Sequence, residues 1–122
     1  MRGENTYALR TASGTVVVMI IEQIRYYLEG GEIEALLKAR RAVSHIRGQL
    51  ELPPGHILLA DEGPVEAPCI VWQCLYEDEG EMGMVETHLI GDPDYESARE
   101  RLGALARHVE VELYIIDEED AG

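Results

Sequence analysis

The sequence predicts an α+β domain whose elements run strand, helix, strand, strand, helix, strand. Three observations carry that order. Residues 16–27 open with six unbroken apolar residues, VVVMII, the mark of a strand covered on both faces, and the stretch stops at Gly30-Gly31. Residues 69–76, CIVWQCLY, form a second strong strand of β-branched and aromatic residues. Asp92-Pro93 precedes an apolar stripe at Tyr95, Ala98, Leu102, Leu105 and Ala106. That is a helix start, because Asp can cap and Pro needs no N–H at the first helical position.

Side chains alternate along the first strand, so Met19, Ile21, Gln23, Arg25 and Tyr27 share one face and Ile20, Glu22, Ile24 and Tyr26 the other. Arg25 is the one basic residue that falls in any predicted strand. After the glycine pair, Ile33, Leu36, Leu37, Val43 and Ile46 recur near helical spacing, with Glu32 and Glu34 early and Lys38, Arg40, Arg41 and Arg47 later, an order that suits the helix dipole. Arg40-Arg41 reads as a solvated helix face. Gly48 is expected to mark the helix end, and Pro53-Pro54-Gly55 forces a turn.

Residues 56–61, HILLAD, are a short strand, and 62–68 a loop with two prolines. After the strand at 69–76, Met82, Val85 and Leu89 fall at i, i+3 and i+7 and predict a short helix despite Gly80 and Gly83. The helix from Pro93 closes at Arg107 and His108. In the last strand, 109–116, Val109, Val111, Leu113 and Ile115 alternate with Glu110, Glu112, Tyr114 and Ile116, a half-exposed pattern. Residues 1–14 are expected to be a flexible N-terminal segment, 15–117 the domain and 118–122 an acidic tail.

Two right-handed split units in this order give the ferredoxin-like βαββαβ arrangement, a four-stranded antiparallel sheet with both long helices on one face. The other face would then carry large apolar groups that a monomer seldom leaves in water, and packing sheet on sheet in a homodimer is the remedy.

A chain of 122 residues holds one domain. Its 24 acids against 10 Lys and Arg, net charge −14, disfavour nucleic acid and anionic membrane surfaces, whose phosphates need clustered cations. No stretch is long and apolar enough to span a bilayer and the first residues have no signal-peptide core, which places the chain in the cytoplasm. Cys69 and Cys74, five residues apart on one strand, point to opposite faces roughly 16 Å apart and are expected to stay reduced. His45, His56, His88 and His108 lie in four different elements, so no metal site is expected. No phosphate-cradling glycine loop and no Gly-x-Ser-x-Gly elbow is present.

The run MIIEQIRYYLEGGEIEALLKA at 19–39 has an Arg and a Tyr two apart on the opening strand, then a glycine turn and a helix. VWQCLYEDEGEM at 71–82 is a strand running into a short helix, and DPDYESARERL at 92–102 begins acid, Pro, acid, aromatic. These three patches resemble the dimeric α/β-barrel superfamily, and within it the NIPSNAP-like group. A Gly-Gly pair stands where Pro-Gly is more usual in that group, and the chain has no phenylalanine. The resemblance implies a homodimer whose two sheets face each other around a cavity that often holds a small organic ligand, lined here by Arg25 and Tyr27. It also implies a range of activities: cofactor-independent oxygenases, isomerases and dehydratases, haem-handling enzymes, and members with no assigned reaction.

Gln23, Arg25 and Tyr27 on one strand face would make a polar floor in a greasy cavity. Arg25 would grip a carboxylate or enolate of the ligand and Tyr27 would donate to developing negative charge. The competing reading pairs Arg25 with Glu110 or Glu112 within or across the dimer. His56, at a strand start, would be a general base if the ligand reaches that end. Trp72 and His88, with Gln23 as the amide on the first strand, would be the ligand-binding residues of a haem site, the alternative the superfamily suggests. The expectation is therefore a cytoplasmic homodimer that binds a small, mostly apolar organic compound without a cofactor. Its enzymatic form is an oxygenase or isomerase, and its competing class a non-catalytic ligand-binding or structural module.

Overall fold

The computed structural model describes residues 8–11, 14–17, 19–28, 33–60 and 67–116. Two strands, β1 (Ala8–Thr11) and β2 (Gly14–Val17), pair antiparallel as a separate two-stranded sheet. A four-stranded sheet is built from β3 (Ile20–Tyr27), β4 (His56–Leu59), β5 (Ile70–Tyr76) and β6 (His108–Ile115), in the order β4-β5-β3-β6, every neighbour antiparallel. Between the strands run α1 (Ile33–Gln49), α2 (Glu79–Leu89) and α3 (Pro93–Leu105). This is the ferredoxin-like α+β arrangement, with the first and third strands of the repeat at its centre.

The single strand expected over 16–27 is two strands in two sheets. An apolar run carries no mark of where the chain passes from one sheet to another, because both halves are equally hydrophobic. Of the segment expected to be flexible, 8–11 and 14 lie in the β1–β2 hairpin, while 1–7, 12 and 13 fall outside the described residues. The acidic tail at 118–122 also lies outside them, as does the glycine pair at 30–31.

One face of the sheet is covered. Ile20 and Tyr26 from β3 and Ile70, Trp72, Cys74 and Tyr76 from β5 are buried against Leu36, Leu37, Ala39 and Val43 of α1, Met82, Val85 and Leu89 of α2, and Leu102 of α3. Both later helices start as their sequences dictate. Asp78 accepts from the Glu81 N–H at 2.7 Å, and Asp92 accepts from the Tyr95 N–H at 2.9 Å with Pro93 following.

Gly48 does not end α1 but lies inside it. The reversal comes at Glu51, whose φ is 61°, with the Leu52 N–H returning to the Arg47 carbonyl at 2.9 Å. The larger correction concerns Arg40. Rather than facing solvent it is 2 % exposed, and Arg47 is 5 % exposed. Leu36, Arg40, Val43 and Arg47 fall at i, i+4, i+7 and i+11, one stripe of the helix, and the stripe points into the core whatever the charge. No helix among the described residues is long and apolar enough to cross a membrane.

Candidate functional site

Among the described residues, nothing covers the face away from the helices. The strand pairing lays its side chains in rows: His56, Gln73, Gln23 and Glu112 across one, Leu58, Val71, Arg25 and Glu110 across the next. Tyr27 stands opposite His108, and Ile21 lies between Leu75 and Tyr114. Leu58 and Leu75 are 44 % and 48 % exposed, so the polar centre of this face is set among large apolar groups open to water.

Arg25 is the hub. Its Nε donates to Glu110 Oε1 at 3.2 Å, and its Nη1 donates to Gln23 Oε1 at 2.8 Å and to the Tyr114 hydroxyl at 3.5 Å. Tyr27 O–H donates to the same Glu110 oxygen at 2.8 Å, while Glu110 Oε2 lies 3.3 Å from His108 Nε2. Gln23 Nε2 reaches Gln73 Oε1 at 3.3 Å, and the Tyr27 and His108 rings lie 5.4 Å apart. Of the two carboxylates weighed as partners for Arg25, Glu110 is the one it pairs with. Arg25 Nη2 makes no hydrogen bond among the described residues, so two donors stay open to an incoming oxygen.

The electrostatics follow from these bonds. Hydrogen bonds to Tyr27, then Arg25, then His108 hold the Glu110 carboxyl below the usual carboxylate range. Sharing Glu110 pushes the Tyr27 hydroxyl up, because ionising it would set two anions side by side. Tyr114 most of all, then Glu110 and Tyr27, keep Arg25 charged against the opposing effect of burial.

The structure thus brings together Gln23, Arg25 and Tyr27, and puts His56 on the same face, exposed on the edge strand. It does not bring Trp72 and His88 to them. Trp72 projects from the opposite face, 1 % exposed, with its Nε1 donating to the Pro54 carbonyl at 2.8 Å. His88 is exposed on α2, with Nδ1 2.9 Å from the Met84 carbonyl. Gln23, Trp72 and His88 therefore cannot line one pocket, and these residues do not fit a haem held among them. Among the described residues no group of three His, Cys, Asp or Glu is placed to hold a metal ion.

Sequence reasoning missed His108 and Tyr114 as members of this cluster. The alternation of the last strand did put Glu110, Glu112 and Tyr114 on one face, but His108, expected to close the helix, is instead the first residue of β6, α3 having ended at Leu105. What the alternation did not state is that the last strand lies directly beside the first, which the ferredoxin-like order requires.

Comparison with solved structures places this geometry. A NIPSNAP-family protein of Agrobacterium tumefaciens superposes with a TM-score of 0.65 at 18 % identity, covering 93 % of this chain and 96 % of the other. The fold is that of the NIPSNAP-family proteins. A protein of Nitrosomonas europaea provisionally named an antibiotic biosynthesis monooxygenase matches at TM-score 0.61 and 14 % identity, covering 83 % of this chain and 92 % of its own. A dimeric protein of unknown function from Bacteroides fragilis, with a ferredoxin-like fold, matches at TM-score 0.55 and 12 % identity, covering 80 % and 96 %. No family model matches the sequence, and no curated protein matches it. On this NIPSNAP-type fold the uncovered sheet face, with Arg25 at its centre, is the candidate site.

Proposed function

We propose that the protein is a homodimer whose two open sheet faces pack together and enclose a small, mostly apolar organic compound. An oxyanion on that compound, carboxylate or enolate, is held by Arg25 Nη2, and by Tyr27 once its single hydroxyl proton turns from Glu110 to the ligand. The observation that carries this reading is the placement of one polar network, centred on Arg25, beside the exposed Leu58 and Leu75 on an uncovered sheet face. A second copy of the same face removes Leu58, Leu75 and Ile21 from water and shields the Arg25 network, which strengthens each of its bonds. Proteins of this fold that are named as dimers support the same arrangement. Neither the compound nor a cofactor is needed for the packing itself, so a ligand-binding module is the simplest form of the proposal.

A second reading, catalysis, is favoured by one observation: the His108–Glu110 pair beside Tyr27. Glu110 is held ionised by its three donors and is a weak base. It orients the imidazole, and His108 is then the proton acceptor for a carbon acid whose enolate Arg25 stabilises through its open Nη2. That chemistry is the first step of an isomerase or of a cofactor-independent oxygenase. Arg25→Ala is expected to leave the dimer and its melting temperature nearly intact while abolishing binding of a small enolisable carboxylate. Loss of folding in that variant would show instead that Arg25 serves only its pair with Glu110.

A further inference from the structure

The helix side of the molecule has a cavity of its own, away from the open sheet face and independent of the reading proposed for it. Leu36 and Val43 of α1 and Leu102 of α3 turn toward the sheet, and on the solvent side of those residues a groove of about 520 Å³ runs between the two helices. Its floor is Ala35, Ala39, Ala42 and Ala98, side chains too short to fill the space, with the larger apolar groups of Ile46 and Leu105 beside them.

The charges that line this groove are sorted along it. α1 begins shortly after Tyr27, and α3 ends just before His108, which pairs with Tyr27 across β3 and β6. The start of α1 and the end of α3 therefore lie at the same edge of the sheet, and the two helices are antiparallel. Lys38 on α1 and Arg101 on α3, both lining the groove, fall at one end; Asp94 on α3 and Gln49 on α1 fall at the other. Arg101 and Asp94 are two helical turns apart, about 11 Å along the axis. None of Lys38, Arg101 and Asp94 forms an ion pair among the described residues, although Glu34 stands one turn before Lys38. Two unpaired cations brought in from opposite walls of one groove, in a chain of net charge −14, create a local field that attracts an anion.

We infer that this groove binds an elongated small organic carboxylate, its head between Lys38 and Arg101, its apolar body along the alanine floor and its uncharged tail toward Asp94. A carboxylate is the fitting head because an ammonium and a guanidinium converge on it from two walls. The body is apolar because the floor offers it no polar side chain, and Asp94 rejects a second carboxylate at the tail. The volume lies within the range of small-molecule sites, about 300–1,000 Å³. It would hold only about one turn of a docked helix, whose diameter is roughly 10–12 Å, so the occupant is a small molecule and not a partner helix.

Lys38 is the chain's one lysine and is exposed, so its rate of acetylation by an amine-selective reagent reads the head of the groove directly. Octanoate added to the full chain at millimolar concentration is expected to slow that rate saturably, at least about threefold. The readout is mass spectrometry of the Lys38 peptide, with a free lysine derivative in the same tube as the reference for the reagent. Neutral octanamide is expected to leave the rate unchanged. Arg101→Met, an exposed position, is expected to raise the half-protecting octanoate concentration at least about threefold, the worth of one exposed ion pair. Octanedioate is expected to protect less well than octanoate, and Asp94→Asn to narrow that difference. Arg25→Ala is expected to be protected as wild type is, which separates the groove from the open face. The inference is overturned if octanoate gives no protection, if octanamide protects as well, if Arg101→Met is protected at the wild-type concentration, if Asp94→Asn leaves the octanedioate difference unchanged, or if Arg25→Ala loses the protection.

Discussion

Glu110 is the residue on which the open-face network converges, accepting from Arg25, Tyr27 and His108. Its lowered pKa sets the sign of a pH effect. A carboxyl whose folded pKa lies below the unfolded value contributes stability above the unfolded pKa, about 4.3, and loses it as pH falls through the folded value. The stability advantage of wild type over Glu110→Gln is therefore expected to be full at pH 6 and to shrink steadily below pH 4 in urea titrations. A constant difference across that range would mean the network does not hold Glu110 ionised. Gly55 makes a second test at this scale. Its φ is 76°, and a Cβ there would run into the Trp72 indole. Gly55→Ala is expected to cost about 1–3 kcal/mol in denaturant unfolding, from backbone strain and the displaced indole together.

At the scale of elements, local chemistry sets the boundaries that can be read without the fold. Asp92 with Pro93 starts α3 where its sequence says it should, and Asp92→Ala is expected to cost about 1 kcal/mol by leaving the Tyr95 N–H without its side-chain acceptor. Four strands and the long helices were legible from period 2 and period 3.6 patterns in the same way. Gln23, Arg25 and Tyr27 were legible as one face because alternation alone places them. What was not legible has a common cause in tertiary context. The run VVVMII hides the break between β2 and β3 because hydrophobicity does not say which sheet a residue joins. Arg40 and Arg47 were read by charge, yet their spacing from Leu36 and Val43 is that of the buried stripe; Trp72, Tyr26 and Tyr76 supply the faces and hydroxyls that let them stay there. His108 joined the candidate site only once β6 lay beside β3.

At the scale of the whole molecule the sheet has two unlike faces. One is covered at its centre by three helices over a core that reaches from Ile20 to Leu102, with Leu59, Val109 and Val111 exposed on its outer strands; the other presents Leu58, Leu75 and Ile21 around a charged centre. The account of function depends on a second copy covering that face. A charge placed there should separate the subunits without unfolding them, since Leu75 contributes nothing to the helix side: Leu75→Glu is expected to be folded, helical and monomeric. The most direct measurement is sedimentation equilibrium of the wild-type chain at low micromolar concentration, with Leu75→Glu run beside it. The account predicts the mass of two chains for wild type and of one for the variant. A wild-type chain that sediments as a single folded subunit would contradict it.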